Sequence, residues 1–189
     1  DRHVAHADVV AKLVLPGVPV EVEIERRVSG GKRLAIVSGL ERPNLDGGAS
    51  IRNTQVDNVN LLLRMQDENG NRIPTDRLIA AGENSGRMGV IDRWVLTNTV
   101  QWISRNKARL TNTQFVCMNL SGASLNDEKF IQDVFGMLEE NLPIAKHLCL
   151  EITESVALHD LQNTRRFIDQ VRAYGAKVAL DDFGAGYTS

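Results

Sequence analysis

Three short apolar segments of this chain each run directly into oxygen-bearing side chains: Phe115-Val-Cys-Met-Asn119, Leu148-Cys-Leu-Glu151 and Val178-Ala-Leu-Asp181-Asp182. A buried strand ordinarily ends in turn residues. An Asn, a Glu and an Asp pair at three strand ends therefore point to one polar rim on which these groups converge. Hard oxygen donors gathered on one rim are what Mg²⁺ or Mn²⁺ requires.

Helical patterns separate these segments. Ile91, Trp94, Val95, Trp102 and Ile103 recur at helical spacing, which predicts a helix over about residues 90–105. A second is expected over Leu125 to Glu140 with Asn126 or Asp127 as its cap, and a third over Leu161 to Tyr174, stopped by Gly175. Upstream, Leu34 to Val37 and Val59 to Met65 read as further strands, and Asp67 to Asn71 as a turn built on Asn-Gly. Strands that read as apolar on both faces and alternate with helices imply a parallel sheet covered by helices. A doubly wound sheet and a βα barrel both fit that pattern. An open sheet gathers ligands at a single switch point, whereas a barrel collects side chains from many strand ends, so chemistry at three consecutive strand ends favours the barrel. About five strands are visible, against the eight of a complete barrel.

The 189 residues are 42% hydrophobic, enough for a core. With 24 acidic and 22 basic residues the formal net charge is −2, so no global basic field marks DNA or RNA as a partner. No apolar run approaches membrane-spanning length and no signal peptide opens the chain, so no membrane contact is expected from this segment. Cys117 and Cys149 sit inside strands and read as buried, reduced thiols rather than a disulfide. Residues 1–30 differ in character. Val18, Val20, Val22 and Ile24 alternate with Pro19, Glu21, Glu23 and Glu25, the mark of a half-exposed strand in an N-terminal extension or linker ahead of a domain over residues 31–189. His3, His6 and Asp8 imitate a metal cluster but read as a terminal tail.

Asn119-Leu-Ser121, Glu151-Ile-Thr-Glu154-Ser155 and Asp181-Asp182-Phe-Gly-Ala-Gly-Tyr187 resemble the three central signatures of the EAL domain, the bacterial family of cyclic-di-GMP phosphodiesterases and their degenerate relatives. The likeness extends through Pro74, Glu83, Gly86 and Ile91-Asp-Arg-Trp94, and runs from about Leu34 to the last residue. It implies a (β/α)₈ TIM barrel of which this chain carries about the first five βα units. It also implies hydrolysis of one phosphodiester bond of cyclic di-GMP to linear pGpG, with two Mg²⁺ or Mn²⁺ ions. Asn119, Glu151 and Asp181 would be metal ligands and Asp182 would hold the second ion, which makes Glu151, Asp181 and Asp182 the candidate catalytic residues. Arg64 would pair with a phosphate oxygen of the ligand. A location in the bacterial cytoplasm is implied as well, including as part of a larger membrane-tethered or multidomain protein.

The departures from the family pattern bear on activity. Where the family carries Glu-x-Leu-Leu-Arg, this chain reads Asn60-Leu61-Leu62-Leu63-Arg64, so the ligand-side position at Asn60 is neutral and the metal site is expected to be weakened. Gly39-Leu40 stands where the family has Gln and Pro on its first strand. The family's catalytic lysine and its remaining glutamates would fall beyond Ser189. The expected function is thus a catalytically impaired cyclic-di-GMP-binding or regulatory module, with an active metal-dependent phosphodiesterase as the alternative. Taken singly, Asn119 reads as a strand cap, Glu151 as a solvated rim carboxylate, Asp181-Asp182 as a turn or helix cap, and Arg64 as a surface ion pair. Five strands in an open barrel would leave two unpaired edges, for which pairing with a second copy, a homodimer, is one expected outcome.

Overall fold

The computed structural model of the chain describes residues 8–14, 20–29, 33–37, 51–55, 58–67, 69–110 and 115–181, with side chains mainly from residue 63 onward. In chain order the strands and helices are β1 (Asp8–Val14), β2 (Val20–Ser29), β3 (Arg33–Val37), β4 (Ile51–Gln55), β5 (Asn58–Asp67), β6 (Arg72–Ile73), α1 (Thr75–Asn84), α2 (Met88–Asn106), β7 (Phe115–Asn119), α3 (Gly122–Leu125), α4 (Glu128–Glu140), α5 (Leu142–Ala145), β8 (Leu148–Thr153), α6 (Glu154–His159), α7 (Leu161–Ala173) and β9 (Lys177–Asp181).

The strands form one sheet in the order β1-β2-β5-β7-β8-β9-β3-β4, with β6 beside β5. Its centre, β5-β7-β8-β9, is parallel, and helices connect each of these strands to the next. That is the partial βα barrel expected from the alternation. Its edges differ from expectation. β2 pairs antiparallel with β5 along its whole length, from Val20↔Asp67 to Ser29↔Asn58, and β3 pairs antiparallel with β9 at Ala35↔Leu180 and Ile36↔Ala179. The segment Leu34 to Val37 therefore lies beside β9 and not beside β5. An edge strand leaves a row of unpaired N–H and C=O groups, and both parallel edges are capped from within the chain. The outer strands of the described sheet are therefore β1 and β4 rather than the two parallel strands β5 and β9.

Helix α2 buries Met88, Val95, Leu96, Val100 and Ile103 on one face, as its spacing predicts, with Trp94 and Trp102 half-buried against the same core. The second expected helix is divided. Asn126 ends the short α3, its side-chain amide donating to the Gly122 carbonyl at 3.1 Å, and Asp127 caps α4 by accepting from the amides of Lys129 (3.0 Å) and Phe130 (3.2 Å). Phe130, Val134 and Leu138, one turn apart, are then buried almost completely. Each contributes about 1.5–3 kcal/mol by leaving water. α7 buries Phe167, Ile168 and Val171 and ends before Gly175, whose φ of +93° is the left-handed conformation that such a stop needs.

The parallel strands have two unlike faces. Val116, Met118, Leu148, Leu150, Ile152 and Val178 join the helices in the main core. On the alternate positions Cys117, Cys149 and Ala179 form a thin second cluster with Phe115. Register places Cys117 opposite Cys149 and Asn60 opposite Cys117. Both thiols are free and buried, as their strand positions predict. The Cys117 thiol bonds to Cys149 and, with burial and the nearby Glu151 charge, holds the Cys149 thiol well above its ordinary pKa, against a smaller opposing pull from Lys177.

Candidate functional site

The period of two that builds the small-residue face of the sheet also delivers the polar rim. Asn119 lies two residues beyond Cys117, Glu151 two beyond Cys149, and Asp181 two beyond Ala179. Across the strands Asn119 is paired with Glu151, and Thr153 with Asp181. One face of one parallel sheet thus carries Asn119, Glu151, Thr153 and Asp181 toward its C-terminal end, where βα folds gather their chemistry.

A cleft of about 370 Å³ opens at these strand ends. Its lining includes the polar Arg64, Thr75, Asp92, Asn119, Ser121 and Thr153 and the apolar Leu63, Ile79, Met88, Val95 and Val156. The end of β5 is tied to α1 by Thr75, whose hydroxyl donates to the Leu63 carbonyl at 3.1 Å. Arg64 Nη1 donates to the same carbonyl at 2.9 Å, so the guanidinium folds back along the cleft wall. Thr153 caps α6 by accepting from the Val156 amide at 3.4 Å.

The turn after β7 is held from two sides. The Leu120 amide donates to the Glu151 carbonyl at 2.8 Å. The Ser121 amide (3.0 Å) and hydroxyl (2.8 Å) both donate to Asp92 Oδ2. Ser121 Oγ in turn accepts from the Ser124 amide at 3.1 Å and starts α3. Asp92 is 5% exposed. Burial raises its pKa, opposed by hydrogen bonds from the Ser124 side chain and from the Ser121 amide and hydroxyl.

Of the residues singled out from sequence, Arg64 and Asn119 line the same cleft. Glu151 is 3% exposed and lies deeper, so it is not the solvated rim carboxylate that it resembles when read alone. Asn60 and Asp181 have strand positions only, with side chains outside the described residues, and Asp182, Gly39 and Leu40 lie outside them altogether. Asp92 was not among the expected functional groups. Its signal is a lone carboxylate at a core-facing position of α2, four residues after Met88 and three before Val95.

The donor set suits a hard dication: an amide oxygen at Asn119 stands in register with a carboxylate at Glu151. Asp181 reaches the same end of the neighbouring strand. Among the described residues, no three His, Cys, Asp or Glu side chains are grouped closely enough to hold an ion by themselves. No helix among them is long and apolar enough to cross a membrane.

Residues 49–189 match the EAL domain family. The cyclic di-GMP phosphodiesterase PdeF of Escherichia coli (strain K12) is 33% identical over 129 residues, which cover 68% of this chain and 17% of that protein. The cyclic di-GMP phosphodiesterase PdeB of Shewanella oneidensis is 31% identical over 142 residues, 75% of this chain and 16% of that protein. The chain spans less than a fifth of the length of these two relatives. Among solved structures, the PaMucR phosphodiesterase in its c-di-GMP complex superposes with a TM-score of 0.59 at 27% identity, covering 72% of this chain and 57% of that one. The FimX EAL domain of Pseudomonas aeruginosa bound to c-di-GMP shares the fold, with a TM-score of 0.61 at 19% identity over 86% of this chain and 58% of that one. With a rim of Asn119, Glu151 and Asp181 at consecutive parallel strand ends and three quarters of its length matched, this chain belongs to the EAL domain family.

Proposed function

We propose that this chain is a cyclic-di-GMP-binding EAL module of a bacterial signalling protein, working in the cytoplasm, with impaired turnover. The observation that carries the reading is the cleft shared by Arg64 and Asn119 at the C-terminal ends of β5 and β7. A guanidinium beside an amide, backed by apolar walls, suits a ligand that joins anionic phosphates to flat bases. Arg64 would hold a phosphate oxygen through its planar fork. Leu63, Met88, Val95 and Val156 would cover a base and keep water from it.

Asn119, Glu151, Asp181 and Asp182 would hold Mg²⁺ or Mn²⁺. When bound, such ions neutralise phosphate charge and lower the pKa of a coordinated water. Asn60 stands where the family places a glutamate and brings one neutral oxygen in place of a carboxylate, so metal affinity and rate both fall while nucleotide contacts persist. The second reading, an active phosphodiesterase, is favoured by the names of the relatives and by the presence of Asn119 and Glu151.

Incubation of the purified protein with cyclic di-GMP and Mn²⁺, followed by chromatography for linear pGpG, separates the two. The binding-module reading expects calorimetric binding in Ca²⁺ and little or no product in Mn²⁺. Product formation at about 1 s⁻¹ or faster would establish the enzyme reading. Absence of heat at high nucleotide concentration would remove both.

A further inference from the structure

We propose that Asp92 is the positioning residue of the site: from α2 it fixes the turn after β7 and so sets where Asn119 presents its amide to the cleft. The inference rests on the reading of Asn119 as a ligand-side residue. The backbone of Asn119 is set by its pairing with Glu151, and the two residues that follow each have their amide pinned. Leu120 is tied to the Glu151 carbonyl at 2.8 Å, and Ser121 to Asp92 Oδ2 at 3.0 Å. The second bond is doubled by the Ser121 hydroxyl at 2.8 Å. The turn is therefore clamped between β8 on one side and α2 on the other.

Packing alone does not explain a carboxylate at this place. The neighbouring buried positions of α2 are Met88, Val95 and Leu96, and an apolar side chain at 92 would continue that face at no cost in hydration. Burying a charge carries a hydration cost that hydrogen bonds only partly return, so the gain is in a defined turn geometry rather than in net stability. Asp92 also lines the cleft beside Asn119 and Ser121, which places the clamp at the ligand's border and not deep in the core.

Asp92→Ala removes the acceptor, whereas Asp92→Asn keeps an oxygen for the Ser121 amide. Hydrogen exchange by mass spectrometry on the peptide covering residues 118–124 of the full chain should quicken about tenfold or more in Asp92→Ala and stay near wild type in Asp92→Asn. Mn²⁺ affinity by calorimetry, measured well below the melting midpoint, should fall about 10–100-fold in Asp92→Ala and recover in Asp92→Asn. If Asp92→Ala does not fold, Ser121→Ala, which removes the hydroxyl arm together with the α3 cap formed by the same Oγ, should weaken Mn²⁺ binding by about three- to tenfold, and Ser121→Thr, which keeps the hydroxyl, should restore it. A folded Asp92→Ala with unchanged exchange and unchanged Mn²⁺ affinity overturns the positioning role. Wild-type protein that binds no Mn²⁺ overturns the metal-site reading instead, and exchange in the 118–124 peptide then decides the role of Asp92 without it.

Discussion

The approach of α3 to α6 can be tested by a double-mutant cycle at Gly122 and Val156, both of which line the cleft. A Cβ added at Gly122 would lie 2.8 Å from Val156 Cγ2 and 3.5 Å from Cγ1. Carbon atoms rest at about 3.5–4.0 Å, so one of the two helices must shift or Val156 must leave its rotamer. Overpacking of this kind costs about 1–3 kcal/mol. The unfolded chain loses freedom when Gly becomes Ala, which offsets about 0.4–1 kcal/mol. Gly122→Ala should therefore destabilise by about 1–2 kcal/mol. Val156→Ala removes two methyl groups from a half-buried site and should cost about 1 kcal/mol. In the double variant the clash has no partner while the unfolded-chain effect of Gly→Ala remains, so it should be more stable than Val156→Ala alone by about 0.4–1 kcal/mol. That outcome is a coupling of about 1–3 kcal/mol in the stabilising direction, the size of the clash itself. Urea unfolding followed by far-ultraviolet circular dichroism measures all four proteins. A double variant whose loss equals the sum of the single losses within about 0.5 kcal/mol would refute the argument, because it would mean that the two side chains do not meet.

Asp127→Ala removes the cap of α4 and should cost about 1 kcal/mol, read as a lower urea midpoint with an unchanged slope. Asn60→Glu should raise Mn²⁺ affinity in a calorimetric titration; unchanged binding would mean that position 60 does not reach the ion. The pH dependence of stability has two opposite signs. Asp92 has a folded pKa above its ordinary 3.8, so its contribution is complete below that value and is lost as the pH rises through the elevated one. Asp92→Asn does not titrate, and its stability relative to wild type should therefore improve from about pH 4 upward. Asp67 is lowered below 3.8, first by its bond from the Asn71 side chain, and its contribution is present above that value and fades as the pH falls. In Asp67→Asn this acid-side loss should be absent from the urea midpoints.

Periodicity carried most of the local structure. Helix α2 extends two residues beyond the expected start and one beyond the expected end, because the apolar residues that mark it repeat on its buried face. The turn at Asp67 follows its chemistry, with Asp67 Oδ1 accepting from the amides of Asn69 (2.9 Å) and Asn71 (2.8 Å) and Gly70 at φ +78°. The division of the second helix at Asn126 and Asp127 was less legible, since either residue is a competent cap and the choice depends on which turn is already closed. Strand partners were not legible at all. Leu34 to Val37 reads as a strand on its own, but its place beside β9 depends on where an unpaired edge lies, a property of the assembled sheet.

The candidate site divides the same way. The residue types at Arg64, Asn119, Glu151 and Asp181, and their places at strand ends, follow from sequence alone, because strand termination and hydrogen-bonding chemistry are local. Spacing along the chain also sets the alternation that separates Cys117 and Cys149 from the core-facing Val116 and Leu148. Tertiary structure alone decided that Glu151 is buried while Asn119 is exposed, that Arg64 and Asn119 share one cleft, and that Asp92, 29 residues before Ser121 in sequence, clamps its amide. These depend on register between strands and on the approach of α2 to the sheet. No single segment encodes either, because burial and hydrogen-bond partners exist only once the segments have packed.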